Sequence, residues 1–162
     1  MIIIVWSTLF EIKGIGRYLR TLQHIAIEKN QGHRAFEAAL QCLQHGRSVL
    51  LFIEGAVSPK GGRFGRPYTG AVRLACLSGA PIVPIGVAVQ PENIRYIQKP
   101  IRGVDASGGW YFRGRYAVTI GPSFHLDSDV GDRPLVRKLT EDVMKQIKIL
   151  AGSSRQRMRN RD

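Results

Sequence analysis

The amino-acid sequence predicts an α/β fold, in which a single domain is built on a largely parallel mixed sheet with flanking helices. First, strand-like and helix-like segments alternate along residues 1–89, an order typical of crossover connections between parallel strands. Second, the runs at 49–53 and 81–89 are almost continuously apolar, as strands covered on both faces are. Third, a chain of 162 residues, 44% of them hydrophobic, is long enough to bury one core. We expect one domain over residues 1–151 and a basic, disordered tail over 152–162.

Strand and helix patterns alternate in the first part of the chain. The apolar opening MIIIVW predicts a strand followed by a turn. Apolar residues recur at spacings of three, four and three between Ile12 and Leu22, which predicts a helix with one apolar face. Alternation over 24–30 predicts a short strand. The apolar stripe within 34–45 predicts a second helix, which Gly46 is suited to end.

The second part of the chain follows the same rules. A buried strand is predicted over 48–53, and Thr69 and Gly79 are placed to cap and to end the helix between them. Further predicted elements are a strand at 81–89, one or two strands within 110–122 and an amphipathic helix at 133–150. Ligands of such sheets bind beyond the carboxyl ends of the strands, which directs attention to Glu54, directly after 48–53.

The charge of the chain indicates an anionic partner. Its 24 Lys and Arg residues outnumber 12 Asp and Glu residues, for a formal charge of +12. A phosphate-bearing substrate, an anionic membrane surface and a nucleic acid all fit this charge. On the helix predicted at 12–22, Lys13, Arg17 and Arg20 form a cationic face that is either solvated or in contact with anionic lipid.

Several classes of protein are not indicated. No apolar run reaches the roughly 18 residues of a membrane span. The two cysteines, Cys42 and Cys76, lack metal-binding spacing and are interpreted as reduced packing residues in the cytosol. No nucleic-acid motif is visible, and most aromatic residues lie in apolar runs, so a nucleic-acid partner is not expected.

Glu54 is the leading candidate for a site residue. A carboxylate beside an apolar strand needs partners, because an unpaired buried charge is costly. The loop that follows is rich in glycine, whose backbone can approach a ligand closely, and in cations that can hold phosphate. The cations are Lys60, Arg63 and Arg66. The alternative is a structural glutamate bonded to loop amides.

Several linked blocks resemble one family. The segment Phe52–Ser58, FIEGAVS, resembles the F-P-E-G-T-R-S block of the glycerolipid acyltransferases, the lysophosphatidate acyltransferase type. PIVPIGV at 81–87 is similar to the later proline block of that family, and GAVRLA at 70–75 to its G-A-x-R-L-A helix. Ile27, Glu28 and Lys29 stand in place of the family's I-D-R motif. The resemblance covers roughly residues 5–125 and implies the family's fold.

The resemblance also implies roles for individual residues. Glu54, Gly55 and Ser58 would shape the acceptor site, Lys29 and Arg63 would hold its phosphate, and Pro84, with Pro81, would fix the neighbouring wall. Ordinary strand geometry is the alternative role of the two prolines. The chain departs from the family at Ile53, Ala56, Val57 and Lys29, where the family has proline, threonine, arginine and arginine, so head-group specificity can differ.

The family's catalytic histidine and aspartate, spaced H-x4-D, are absent, so no catalytic residue is assigned. None of the four histidines has an aspartate five positions later. His125 is expected on a surface loop, and His24, His33 and His45 are expected to be solvated. The family places this motif upstream of the blocks matched here, so we expect Met1 to fall just after it, in an N-terminally shortened chain.

The leading hypothesis from the resemblance is an acyltransferase in phospholipid biosynthesis. It would move a fatty acyl group from acyl-CoA or acyl-carrier protein to the hydroxyl of a lysophospholipid such as 1-acyl-glycerol-3-phosphate. No metal and no cofactor besides the thioester co-substrate are expected. The protein would lie peripherally on the cytoplasmic face of an anionic membrane. The alternative, which follows from the missing base, is a catalytically inactive module that binds an anionic lipid.

Overall fold

A computed structural model describes residues 1–28, 30–55, 64–101 and 104–160. The chain forms two compact units, each continuous in space but not in sequence. Unit 1 contains residues 1–52 and 97–108, and unit 2 contains residues 53–96 and 109–162. The predicted α/β class is confirmed, with a parallel sheet and flanking helices.

Unit 1 is built on a three-stranded parallel sheet in the order β2–β1–β3. Its elements are β1 (Ile2–Trp6), α1 (Ser7–Phe10), α2 (Ile15–Thr21), β2 (Ile25–Ile27), α3 (Gly32–Gln44) and β3 (Val49–Leu50). The register pairs Ile4 with Ile25 and Ile2 with Val49. All five predicted elements of this region are present, in the predicted order.

Most of the apolar side chains predicted to point inward in unit 1 are half-buried, and a few are fully buried. Ile2 of β1, Leu19 of α2 and Ala39 of α3 are buried, whereas Leu22 is exposed just after α2 ends. The cationic residues Lys13, Arg17 and Arg20 are exposed, as predicted. Arg20 donates through both Nη1 (3.0 Å) and Nη2 (2.9 Å) to the Phe10 carbonyl, so it ties α2 to α1.

Unit 2 combines a long helix with an antiparallel strand pair. Its elements are α4 (Gly70–Ser78), β4 (Ile85–Val89), a 3₁₀ turn (Pro91–Asn93), β7 (Tyr116–Ile120) and α5 (Arg133–Arg159). Strands β5 (Ile94–Ile101) and β6 (Val104–Tyr111) pair as a separate two-stranded sheet whose residues belong partly to each unit. The pairing of β4 with β7 aligns Val87 with Val118.

The core of unit 2 lies beneath helix α5. Ile53, Val72, Val136, Val143 and Met144 form one buried cluster, with half-buried apolar neighbours including Phe64 and Ile82 around it. Helix α5 begins with a capped turn, in which the Asp132 carboxylate accepts from the Leu135 amide at 2.9 Å. Ile53, at the start of unit 2, therefore packs in the same cluster as residues of α5, the last helix of the chain.

Three predictions about the elements need correction. The strand predicted over 48–53 is limited to Val49–Leu50, and Phe52 is exposed. Thr69 precedes α4 but its side chain forms no capping hydrogen bond, because its backbone is already helical. The strands β5 and the first part of β6 were not predicted, since their residues show no continuous alternation of apolar and polar side chains.

The tail predicted to be disordered from residue 152 continues helix α5 as far as Arg159. Its polar sequence does not predict packing, yet Ala151 and Ser154 are buried. The Ser154 hydroxyl donates to the Gly86 carbonyl at 2.9 Å and lies 2.6 Å from the Thr119 hydroxyl. A satisfied polar contact with both strands therefore keeps this part of the chain helical.

Candidate functional site

Glu54 lies on a turn at the start of unit 2 and not directly at a strand end, since β3 ends at Leu50. Its side chain is half-buried, next to the buried Ile53. The carboxylate oxygen Oε2 accepts a hydrogen bond from the Gly65 amide at 2.5 Å. This contact joins two points of the chain that are 11 residues apart. The structural role weighed for Glu54, bonding to a loop amide, is therefore present in the structure.

A second hydrogen bond reinforces the same junction. The Tyr68 amide donates to the Ile53 carbonyl at 2.8 Å. Gly55 has φ of 66°, a left-handed conformation that strongly favours glycine. A Cβ atom on Gly55 would lie 2.9 Å from Cε2 of the Tyr68 ring, so the backbone conformation and the nearby ring both select glycine here. We call Ile53, Glu54, Gly55, Gly65 and Tyr68 the loop junction.

The segment after the loop is anchored on helix α5. Arg137 donates through Nη1 to the Pro67 carbonyl at 2.8 Å, across 70 positions of sequence. Its Nε also lies 3.1 Å from the Glu141 carboxylate one turn along the helix. The Lys148 ammonium lies 5.7 Å from the centroid of the Phe64 ring. The loop junction is thus held to a rigid element by contacts that sequence reasoning missed, because nothing in a helical surface arginine reveals so distant a partner.

The structure describes some of the predicted site residues and not others. Glu54 and Gly55 lie in the loop junction. Pro84 is buried, and its carbonyl accepts from the Gly121 amide at 2.9 Å, so its described contacts are those of packing between strands. Lys29, Ser58 and Arg63 lie outside the described residues. The roles of all of these residues in binding remain predictions.

The four histidines occupy separate positions. His33 and Glu37 lie 3.1 Å apart one turn along α3, with 80% and 59% of their side chains exposed, so this pair faces solvent. His45 contacts the Gln41 carbonyl at 2.7 Å and is exposed, as is His125. His24 is half-buried rather than solvated, because its Nδ1 accepts from the Ile3 amide at 3.3 Å. That hydrogen bond is made with β1, the central strand of the sheet in unit 1.

Other site chemistries are not visible in the part of the chain that the structure describes. No group of three or more His, Cys, Asp or Glu side chains there could hold a metal ion. Cys42 and Cys76 are free and half-buried. Within the described ranges, none of the helices combines the length and the apolar character needed to cross a bilayer.

Two open depressions lie along the last turns of α5. One, of about 470 Å³, is lined by Gly152, Arg155, Gln156, Arg159 and Asn160. The other, of about 520 Å³, lies between β7 and α5 and includes Arg115, Tyr116, Val118 and Arg157. Neither depression is lined by a residue of the loop junction. The two depressions therefore do not support an acceptor site at the loop junction.

Comparison with known families decides the broader identity. A family model described as Acyltransferase matches residues 1–88, more than half of the chain and including Glu54, Gly55 and Pro84. This chain belongs to the acyltransferase family. The family to which the sequence blocks point is thereby confirmed. No curated protein matches the chain.

A solved structure supports the fold of this acyltransferase family member. The crystal structure of the 1-acyl-sn-glycerophosphate (LPA) acyltransferase PlsC from Thermotoga maritima matches with a TM-score of 0.57 and 18% sequence identity. The match covers 91% of this chain and 56% of that one, so this acyltransferase family chain spans little more than half the length of the solved protein. At this identity the likeness concerns the fold.

Proposed function

We propose that this chain takes part in the transfer of a fatty acyl group from a thioester to the free hydroxyl of a lysophospholipid, in phospholipid biosynthesis. Membership of the acyltransferase family supports acyl transfer. The matched segment ends just after the β4 residue Val87. The similarity in fold to a protein named for 1-acyl-sn-glycerophosphate supports a lysophosphatidate acceptor. The donor is acyl-CoA or acyl-carrier protein, and no resident cofactor is proposed.

The observation that carries this proposal is the loop junction. Glu54 and Gly55 lie inside the family match, and the Glu54 carboxylate is fixed by the Gly65 amide. A carboxylate held in one orientation can also accept from a hydroxyl of a bound polyol, since each oxygen has more than one lone pair. We assign Glu54, Gly55 and Ser58 to the acceptor head group and Arg63 to its phosphate, and we leave Lys29 and Pro84 with the roles that the family resemblance implies.

The chemistry of the transfer is a substitution at the thioester carbonyl. The acceptor oxygen forms a new ester bond to the carbonyl carbon, the carbon–sulfur bond breaks, and the hydroxyl proton finally resides on the released thiol. A general base that accepts this proton typically contributes 10²–10⁴-fold to the rate. Because none of the four histidines carries an aspartate five positions later, the proposal assigns acceptor binding to the named residues and assigns the base to none of them.

The first test measures binding and transfer separately with the whole chain. Titration calorimetry with short-chain lysophosphatidate measures acceptor binding, and the uncharged 1-acyl-glycerol is the matched control for the phosphate. Product formation from acyl-CoA is followed by mass spectrometry, with and without added imidazole as an external base. We expect phosphate-dependent binding and product in excess of that formed by imidazole alone.

Two outcomes would contradict the proposal in different ways. Binding of lysophosphatidate without product, even with imidazole, would favour the lipid-binding module, which family membership does not favour. Equal binding of lysophosphatidate and 1-acyl-glycerol would remove the phosphate from the assigned acceptor. The Glu54→Gln variant adds a check on the site, since loss of its charge should weaken acceptor binding if the carboxylate contacts the head group.

A further inference from the structure

One face of the β4–β7 pair is covered by helix α5, and within the described residues much of the other face is exposed. Gly86, Ala88, Ala117 and Thr119 face the helix, and the alternate residues face away from it. We call the second set the outer face; it consists of Ile85, Val87, Val89, Tyr116, Val118 and Ile120. These six are aligned as three cross-strand pairs, so their apolar side chains form one contiguous surface.

The exposure of the outer face is unusual for apolar side chains. Tyr116 is 70% exposed and Ile120 is 66% exposed, and Val87 and Val118 are also exposed. Single exposed apolar residues are common, but a contiguous exposed set indicates an interaction surface. Val83, which precedes β4, is exposed as well and extends this surface.

A braced turn lies directly next to the outer face. Residues Phe112–Arg115 connect β6 to β7, and we call them the aromatic turn. The Tyr111 hydroxyl donates to the Arg115 carbonyl at 2.6 Å, and the Arg115 amide donates to the Gln90 side chain at 3.1 Å. Phe112 is 67% exposed and stacks on Trp110, with ring centroids 5.9 Å apart. The turn therefore presents an aromatic side chain to solvent in a fixed conformation.

The segments that form this surface carry positive charge, although the acid Glu92 follows β4 in the 3₁₀ turn. Residues 81–91 and 109–126 contain no Asp or Glu, and the aromatic turn contributes Arg113 and Arg115. Arg157 of α5 reaches β7 as well, where its Nη2 donates to the Val118 carbonyl and to the Thr119 hydroxyl. An apolar surface bordered by aromatic and arginine side chains is complementary to a lipid surface that carries negative charge.

We propose that the outer face and the aromatic turn together dock the protein on an anionic membrane. The apolar face contacts the acyl region, Phe112 and Tyr116 lie at the boundary with the head groups, and Arg113 and Arg115 pair with lipid phosphates. A lipid surface that carries negative charge fits the net positive charge of the two segments, which contain Arg113 and Arg115 and no acid. This assignment deepens the proposed function, because a lysophospholipid acceptor partitions into the membrane.

The test is the binding of the whole chain to sedimented vesicles in the absence of any acyl donor. Vesicles of phosphatidylcholine mixed with phosphatidylglycerol are compared with vesicles of phosphatidylcholine alone. Phe112→Ser together with Tyr116→Ser should weaken binding to the mixed vesicles about ten-fold or more, because two aromatic side chains leave the interface. Arg113→Gln together with Arg115→Gln should weaken it about 20-fold on mixed vesicles and little on neutral ones.

Matched controls separate this surface from other contacts. Ile149→Ser removes an apolar side chain of α5 that is 69% exposed and lies outside the outer face, and it should leave binding unchanged. Lys13→Gln with Arg17→Gln removes charges from α2 and from the turn before it, the other candidate for contact with lipid. Circular dichroism and thermal unfolding of each variant verify that it is folded.

Several results would overturn the proposal. If the α2 variant loses vesicle binding and the aromatic variant keeps it, the membrane contact lies on α2. A dimer in analytical ultracentrifugation that dissociates in the Phe112 and Tyr116 variant would assign the outer face to a second copy of this chain. Binding of mixed-sequence DNA without binding of anionic vesicles would assign the surface to nucleic acid. Since no donor is present, failure here is distinguishable from failure of acyl transfer.

Discussion

The Glu54 carboxylate accepts a hydrogen bond from the Gly65 amide at 2.5 Å, and this contact closes the loop junction of the acyltransferase family match. The residue that the sequence presents as a ligand candidate is thus also a structural member of its own loop. Both roles are compatible, because each carboxylate oxygen can accept more than one hydrogen bond. This hydrogen bond predicts that some substitutions of Glu54 lower both the free energy of unfolding and acceptor binding, whereas others lower acceptor binding alone.

Glu54→Ala should lower the free energy of unfolding by about 1 kcal/mol, the value of a hydrogen bond to a charged group discounted for partial exposure. Glu54→Gln retains a side-chain oxygen that can accept from Gly65, so it should recover most of that stability while it still weakens acceptor binding. Urea unfolding and calorimetric titration of the two variants provide the measurements. Equal loss of stability in both variants would mean that the charge, not the hydrogen bond, supports the junction.

The conformation of Gly55 predicts a cost of substitution that has two parts. Gly55→Ala places a Cβ on a backbone with φ of 66° and 2.9 Å from the Tyr68 ring. The left-handed conformation alone costs about 1–2 kcal/mol for a residue with a side chain. Gly46→Ala is the matched control, because Gly46 has φ of 72° and open space around it.

Both glycine variants should therefore lose stability in urea unfolding, and Gly55→Ala should lose at least as much as Gly46→Ala. Acceptor binding should fall only in Gly55→Ala, since Gly46 ends helix α3 in unit 1. A Gly46→Ala variant that also loses acceptor binding would show that general destabilisation, and not the loop junction, controls binding.

Helix α5 crosses β4 so closely that only glycine fits at position 86. A Cβ on Gly86 would lie 2.2 Å from the Ala151 amide nitrogen and 2.3 Å from the Leu150 carbonyl carbon. Gly86→Ala should lower the free energy of unfolding by about 3 kcal/mol, because backbone atoms must move apart. Gly152→Ala, on the facing helix but with nothing within 4 Å, should instead raise it by about 0.5–1 kcal/mol. If both variants lose stability equally, the close crossing is not supported.

The adjacent residues Ser153 and Ser154 should differ in how much stability is lost when each is replaced by alanine. It is fully buried and bonds the Gly86 carbonyl, and Ser154→Ala should cost about 1–3 kcal/mol because a buried carbonyl loses its side-chain donor. Ser153 is exposed and bonds only the Ile149 carbonyl of its own helix among its described contacts, so Ser153→Ala should change stability little. Thermal unfolding distinguishes the two, and helix content after residue 150 should fall only in Ser154→Ala.

Local patterns of residues predict the order of the elements and the family. Periodic apolar residues predicted α2, α3, α4 and most of α5, because the pattern of a helix that packs on one side is local. The linked blocks around Glu54 and Pro81 indicate the acyltransferase family from residue pattern alone. The choice of glycine at positions 46 and 79 to end two helices also followed from local backbone requirements.

Packing between segments that are distant in sequence sets where several elements end and which groups meet. Residues 152–159 are polar, and they stay helical because Ser154 finds a carbonyl of β4 and a hydroxyl of β7 that are far away in sequence. The segment 48–53 is apolar throughout its last five residues, yet Phe52 is exposed while Ile53 joins the core of unit 2. Arg137 reaches Pro67 across 70 positions. Such contacts depend on how elements are placed in space, and a local pattern of side chains carries no record of that placement.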